Sequence, residues 1–285
     1  MEIISESAAM HARAAAWHAD GKRIGFVPTM GAFHEGHLSL MRRARAECDI
    51  VVVSLFVNPT QFNDPADLAA YPRTEESDTA AARRERVDVV FAPTASDMYP
   101  AGAATTVAVG GLEDVLEGAM RGPQHFRGVA TVVARLLNVV APDQLYLGQK
   151  DAQQVAVIKR MATDLAFPVR IVVCPTIREP DGLAMSSRNV RLASSDRERA
   201  LALRRGLDAA LAVIDHGVRR AEAIARAGVD AMARLGVEPE YFAVVDAATL
   251  APLEQLSGEL DVLIAVAARI GPVRLIDNEV VHLSP

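Results

Sequence analysis

The sequence predicts an α/β chain: a doubly wound parallel sheet followed by a smaller α+β C-terminal unit. Three observations carry this. Short apolar runs alternate with segments of helical period between residues 24 and 174. The run 50–57 is apolar almost throughout, as a strand buried on both faces must be. Beyond Pro175 the order changes to helices followed by strands.

Residues 24–27 read as the first of these strands, residues 36–47 carry helical period through Leu38, Met41 and Ala44, and residues 50–57 return as a strand, completing a βαβ unit. A helix at 75–86 then leads into a strand at 87–92, a helix at 128–140 into a strand at 144–147, and a helix at 152–165 into a strand at 169–174. Such alternation places ligands at the carboxyl ends of the strands. Two Ala- and Arg-rich helices at 195–215 and 219–235 precede apolar strands at 241–245, 261–267 and 273–276. The expected boundary falls near residue 176, giving a Rossmann-like domain 1–176 and a smaller α+β domain 177–285.

With 285 residues, 51% hydrophobic and 23% charged, the chain can bury a core beneath an ordinary polar surface. A formal net charge of −6 argues against a broad nucleic-acid footprint, which needs clustered Lys and Arg. The first 23 residues mix charge and histidine without an apolar core, unlike a signal peptide, and no run approaches the ~20 apolar residues of a membrane span. A cytoplasmic protein with small-molecule partners is the default expectation. Cys48 and Cys174 lie far apart without CxxC or His-rich company, which suits packing or surface thiols.

The loop after the first strand, Pro28-Thr29-Met30-Gly31-Ala32-Phe33-His34-Glu35-Gly36-His37, sits where a switch-point ligand belongs. If a helix starts here, His34 and His37 share a face near its N-terminus, where free N–H groups and the helix dipole favour phosphate. Spacing alone also allows a metal pair or two exposed histidines. Gly31 and Gly36 allow close backbone approach. Walker A and GxGxxG patterns are absent, so a P-loop kinase and a standard dinucleotide reader are not indicated. His-Glu-Gly-His in this setting resembles the HxGH motif of the nucleotidyltransferase superfamily, and Met185-Ser186-Ser187-Arg188-Asn189 resembles its later KMSKS-like loop.

Further motifs follow in order: Asn58-Pro59-Thr60-Gln61-Phe62, Tyr71-Pro72-Arg73-Thr74, Phe91-Ala92-Pro93, His125-Phe126-Arg127-Gly128-Val129 and Gly148-Gln149-Lys150-Asp151-Ala152-Gln153-Gln154. Taken alone, the first is also a turn with a capping Asn. The ordered set resembles the pantothenate synthetase family, densely over residues 24–192 and more loosely to Asn278. The chain departs from the usual pattern at Val273, where Thr is customary, and at Phe33, where Leu is commoner.

The resemblance implies an ATP-dependent, AMP-forming ligase that joins pantoate to β-alanine through a pantoyl adenylate; the alternative is another HxGH-type nucleotidyltransferase. It implies that Met30, His34, His37, Gly148, Lys150, Asp151, Ile177, Met185, Ser186, Ser187 and Arg188 surround ATP, with His34, His37, Lys150 and Arg188 catalytic. Gln61 and Gln154 would hold pantoate, and Asn58, Tyr71 and Arg127 would support the site. It further implies Mg²⁺ with the nucleotide, with Asp78 or its neighbour Ser77 as the contact, and a homodimer. The physical case agrees. Attack of a carboxylate on the α-phosphate builds negative charge on phosphoryl oxygens and leaving pyrophosphate, which fixed cations and donors stabilise. Lys150 is otherwise a solvated helix-start lysine, and His125 a loop histidine.

Overall fold

A computed structural model describes residues 1–63 and 65–283. Helices and strands run in the order β1 (Glu2–Ile4), α1 (Ser7–Ala19), β2 (Ile24–Val27), α2 (Glu35–Glu47), β3 (Ile50–Ser54), a single turn at Pro59–Gln61, α3 (Pro65–Ala69), α4 (Glu75–Arg84), β4 (Val89–Phe91), α5 (Ala95–Met98), α6 (Glu117–Arg121), α7 (Pro123–Val140) and β5 (Gln144–Gly148). A turn at Gln149–Asp151, α8 (Ala152–Asp164) and β6 (Arg170–Cys174) follow. The remainder comprises a turn at Asn189–Arg191, α9 (Ser194–Ala200), α10 (Ala202–Asp215), α11 (Ala221–Ala233), β7 (Tyr241–Asp246), β8 (Leu260–Ile270) and β9 (Val273–Leu283). Two compact units result: Met1–Gly148 with Val157–Pro175, and Gln149–Ala156 with Thr176–Pro285.

In the first unit six strands form one sheet in the order β1-β4-β3-β2-β5-β6, every neighbouring pair parallel. The chain steps outward from β2 through β3 and β4 on one side, then resumes at β5 and β6 on the other. The order therefore reverses between β2 and β5, and the crevice outside their carboxyl ends is the switch point. Central strands must be apolar on both faces. All four residues of β2 are buried, as are Val51, Val52 and Val53 of β3. Gly25 is required by packing: a Cβ there would stand 3.0 Å from Cys48 Sγ and 3.2 Å from the Tyr146 ring. Cys48 and Cys174 are free and buried, and burial pushes both thiols up.

Two elements differ from the sequence expectation near the site. Strand β3 ends at Ser54, because Ser54 turns its carbonyl and hydroxyl to Thr29. Helix α7 begins five residues before 128: Gly122 takes a positive φ of 80° and Pro123 fills the first helical position, where its missing N–H costs nothing. The helix then buries Phe126, Val129, Ala130, Val133, Leu136, Leu137 and Val140. Each larger side chain among these contributes roughly 1.5–3 kcal/mol of burial.

The second unit holds an antiparallel sheet in the order β7-β8-β9. Val262, Ile264, Val266 and Ala268 alternate along β8 and pack with Leu203, Leu207, Ala210 and Ile214 of α10 and Ile224 and Met232 of α11. Gly228 admits the Phe242 ring, which a Cβ at that position would overlap. Among the described residues no helix is long and apolar enough to cross a membrane.

Candidate active site

The loop leaving β2 is folded back on β3 and α4 by a short series of hydrogen bonds. Thr29 N–H donates to Ser54 Oγ (3.2 Å), the Thr29 hydroxyl to the Ser54 carbonyl, and Phe56 N–H to the Thr29 carbonyl (3.1 Å). Gly31 and Ala32 then take positive φ, 89° and 51°. That turn points two successive N–H groups inward, and Asp78 receives both: Ala32 N–H on Oδ2 and Phe33 N–H on Oδ1, each at 2.8 Å. The Thr74 hydroxyl adds a third bond to Oδ2 at 3.0 Å. Asp78 is only 3% exposed, so its carboxylate works as an internal brace of the loop.

His34 is the N-cap of α2, with extended backbone (φ −131°, ψ 175°). Its Nδ1 accepts the Gly36 N–H at 3.1 Å, and His37 Nδ1 accepts the His34 N–H at 3.3 Å. The histidines thus cap the helix reciprocally, with ring centroids 4.2 Å apart. An Nδ1 that accepts carries no proton, so both rings are held as the Nε2–H tautomer, which makes each Nε2 a donor. Gly36 is needed for this arrangement, since a Cβ would stand 2.8 Å from His34 Cε1 and 2.9 Å from Nδ1.

Asn58 is the N-cap of the Pro59–Gln61 turn and is 1% exposed. Its Oδ1 accepts from Thr60 N–H (3.3 Å), the Thr60 hydroxyl (2.9 Å) and the Tyr99 hydroxyl (2.8 Å). Its Nδ2 donates to Gly128 O and Gln61 Oε1, both at 3.1 Å. A Cβ on Gly128 would lie 2.5 Å from Thr60 O, so glycine brings α7 into backbone contact with the turn. His125 bonds the Gln61 carbonyl through Nδ1 at 2.8 Å and thereby anchors the turn from α7. Gln61 Nε2 in turn donates to Met30 Sδ at 3.1 Å. The capping-Asn reading and the binding reading of this motif are therefore compatible: the cap aims Gln61. Tyr71 stacks edge-on against Phe62, and Arg127 pairs with the buried Glu113 at 2.9 Å.

In the second unit Lys150 occupies the Gln149–Asp151 turn, and Gln154 lies in the first turn of α8. Asn278 Nδ2 donates to Gln149 O (3.1 Å) and Lys150 O (2.8 Å). Ile177 and Met185 close a small hairpin through Met185 N–H to Ile177 O (2.9 Å). The Ser186-Ser187-Arg188 loop that follows is pinned by buried Asn189, which donates to Glu179 (2.6 Å) and Ala184 O (3.1 Å). Ser186 Oγ accepts the Arg188 N–H at 3.2 Å. Gly148 ends β5 in the first unit.

The family described as Pantoate-beta-alanine ligase matches this chain over residues 2–280. The chain belongs to that family. The pantothenate synthetase of Moorella thermoacetica is 50% identical over 285 residues, covering both chains fully, and that of Acidobacterium capsulatum is 53% identical over 265 residues, 93% of this chain and 88% of its own. A crystal structure of the pantothenate synthetase from Thermus thermophilus superposes with a TM-score of 0.90 at 44% identity and full coverage of both chains. The pantoate-beta-alanine ligase from Francisella tularensis, complexed with beta-gamma ATP and beta-alanine, superposes at 0.77 with 36% identity, covering 98% of this chain and 97% of its own.

Asp78, where the magnesium contact is expected, has hydrogen-bond partners of its own. Asp78 spends both carboxylate oxygens on the HEGH loop, and Ser77 donates to Thr74 O. Among the described residues no group of three His, Cys, Asp or Glu is placed to hold a metal ion. A magnesium ion carried on nucleotide phosphates needs one or two carboxylates at most, so it does not require such a cluster. Residues that sequence reasoning left out are those that hold others: Ser54, Tyr99 and Glu113, each remote in sequence from its partner.

Proposed function

We propose that this chain joins pantoate to β-alanine at the expense of MgATP, through a pantoyl adenylate. The observation that carries the reading is the reciprocal histidine cap at the switch point of the parallel sheet. It sets two Nε2–H donors at a helix N-terminus, in a chain matching the ligase family over residues 2–280. In the first step a pantoate carboxylate oxygen bonds to the α-phosphorus as the bond to pyrophosphate breaks. In the second the β-alanine amine bonds to the acyl carbon, the acyl–oxygen bond breaks, AMP leaves and the amine releases a proton. A free carboxylate would have to expel oxide, which is why activation comes first.

His34 and His37 donate to phosphoryl oxygens in this reading, and Lys150 and Arg188 supply positive charge that the family resemblance assigns to the same nucleotide. Met30, Gly148, Asp151, Ile177, Met185, Ser186 and Ser187 line it. Gln61 and Gln154 read pantoate's hydroxyls and carboxylate as neutral amides, which avoids trapping the nucleophile in an ion pair. The Asn58 cap and the His125 anchor support the assignment of Gln61, since an amide held in one place loses little entropy on binding. The resemblance also supports Tyr71 and Arg127 as neighbours of the site and a homodimeric assembly. The Francisella ligase, solved with a nucleotide and β-alanine, supports ATP and β-alanine as substrates here. AMP release with pantoate, β-alanine and ATP each omitted in turn tests the reading. Release should require all three for turnover; ADP and phosphate as products would reject it.

A further inference from the structure

Asn278 is an unexpected residue for the middle of β9. Asparagine is a poor strand former, and at 3% exposure its amide is costly unless its hydrogen bonds are made. They are made, and to one place. Nδ2 donates to the carbonyls of Gln149 and Lys150 at 3.1 and 2.8 Å, and Oδ1 accepts from Gln149 Nε2 at 2.9 Å. The residue is itself fixed. Its N–H donates to Asp277 Oδ1 at 2.8 Å, and Asp277, also 3% exposed, is held by both terminal nitrogens of Arg178 at 2.6 and 3.1 Å. Arg178 extends the frame to Glu279 at 2.9 Å. One buried amide thus holds two consecutive carbonyls of the short turn that carries Lys150.

We propose that Asn278 is a positioning residue for Lys150: by holding from strand β9 the carbonyls of the two peptides that flank the Lys150 Cα, Gln149–Lys150 and Lys150–Asp151, it sets the direction in which the lysine side chain leaves the turn. The inference rests on the reading of Lys150 as a cation that acts on the nucleotide. A displacement of about 1 Å in such a group costs up to roughly 10²-fold in rate.

A mutant cycle on the full chain separates positioning from plain structural support. Turnover and the ATP KM are measured by AMP release for Asn278→Ala, Asn278→Asp, Lys150→Ala and the Asn278→Ala/Lys150→Ala double variant. Asn278→Ala should lower kcat roughly 10- to 100-fold while the ATP KM stays within a few-fold. Asn278→Asp should lose at least as much, since its carboxylate would face two carbonyl oxygens. In the Lys150→Ala background the Asn278→Ala change should cost less than about 2-fold, because the group it positions is gone. A full and multiplicative loss in that background, or wild-type kcat in Asn278→Ala, overturns the positioning role alone. Wild-type turnover in Lys150→Ala overturns the reading of the lysine and the inference with it. Should the Asn278 variants not fold, Gln149→Ala removes the bond that orients the amide. It should lower kcat about 3- to 10-fold, again only while Lys150 is present. A loss that persists without Lys150 overturns the proposal there too.

Discussion

Replacing Asp78 by Asn changes little in shape and removes what the loop after β2 depends on. The carboxylate accepts two backbone N–H groups at 2.8 Å and a hydroxyl at 3.0 Å, from a position 3% exposed. An amide keeps one acceptor oxygen and turns an NH₂ group towards a donor. The loss of one hydrogen bond to a charged group and the stranding of a buried N–H together cost about 2–4 kcal/mol. Native stability is of the order of 5–15 kcal/mol, so the variant should fold and melt roughly 5–15 °C lower. Phe33, which loses its acceptor, directly precedes His34, so pyrophosphate exchange should fall roughly 10- to 100-fold as the histidine cap drifts. Thermal unfolding by circular dichroism and exchange across a Mg²⁺ titration measure both effects. Wild-type melting and exchange would refute the brace, and full recovery of activity at high Mg²⁺ would return Asp78 to the role of metal ligand.

Gly36→Ala should separate stability from activity: alanine favours the helix by up to about 1 kcal/mol, yet its Cβ meets the His34 ring at 2.8 Å. Melting should be unchanged or higher while exchange drops about 10-fold, and full exchange would show that the ring position is irrelevant. Gln61→Ala should raise the pantoate KM and lower turnover by about 1–3 kcal/mol in kcat/KM, with Gln154→Ala acting in the same direction; unchanged pantoate kinetics in both would remove the assignment. Hydrogen bonds from Arg197 hold Glu179 and Asp181 below the usual carboxylate range. A lowered folded value stabilises above the unfolded value, near 4, and the benefit is lost as pH falls through the folded values. Arg197→Ala should therefore melt lower than wild type at pH 7, with the gap closing as pH falls below the usual carboxylate range; a gap constant with pH would contradict the pairing.

The parallel sheet was legible because central strands leave a mark that composition cannot hide: all of β2 and most of β3 are buried, and neither holds a polar side chain before Ser54 at the end of β3. The HEGH loop was legible from residue type and place. Its brace was not, since Asp78 lies 45 residues beyond Phe33 and reaches it only through the fold. Strand β9 extends to Leu283 although its apolar pattern stops near Ile276, because Asp277, Asn278, Glu279 and His282 are polar residues with partners of their own. The early start of α7 did carry a signal, the Gly122-Pro123 pair, which the neighbouring His125-Phe126-Arg127-Gly128 motif masks. The N-terminal β1 and α1 carry little periodic contrast: β1 is three residues long, and α1 buries only Met10 and Ala14.

An adenylate made at the histidine cap forms reversibly before the amine is needed, so labelled pyrophosphate should exchange into ATP on the wild-type chain with pantoate present and β-alanine absent. Exchange should require pantoate, need no β-alanine, and fall at least 10-fold in His37→Ala. Absence of exchange in an enzyme that still forms pantothenate once β-alanine is added would rule out a reversible pantoyl adenylate.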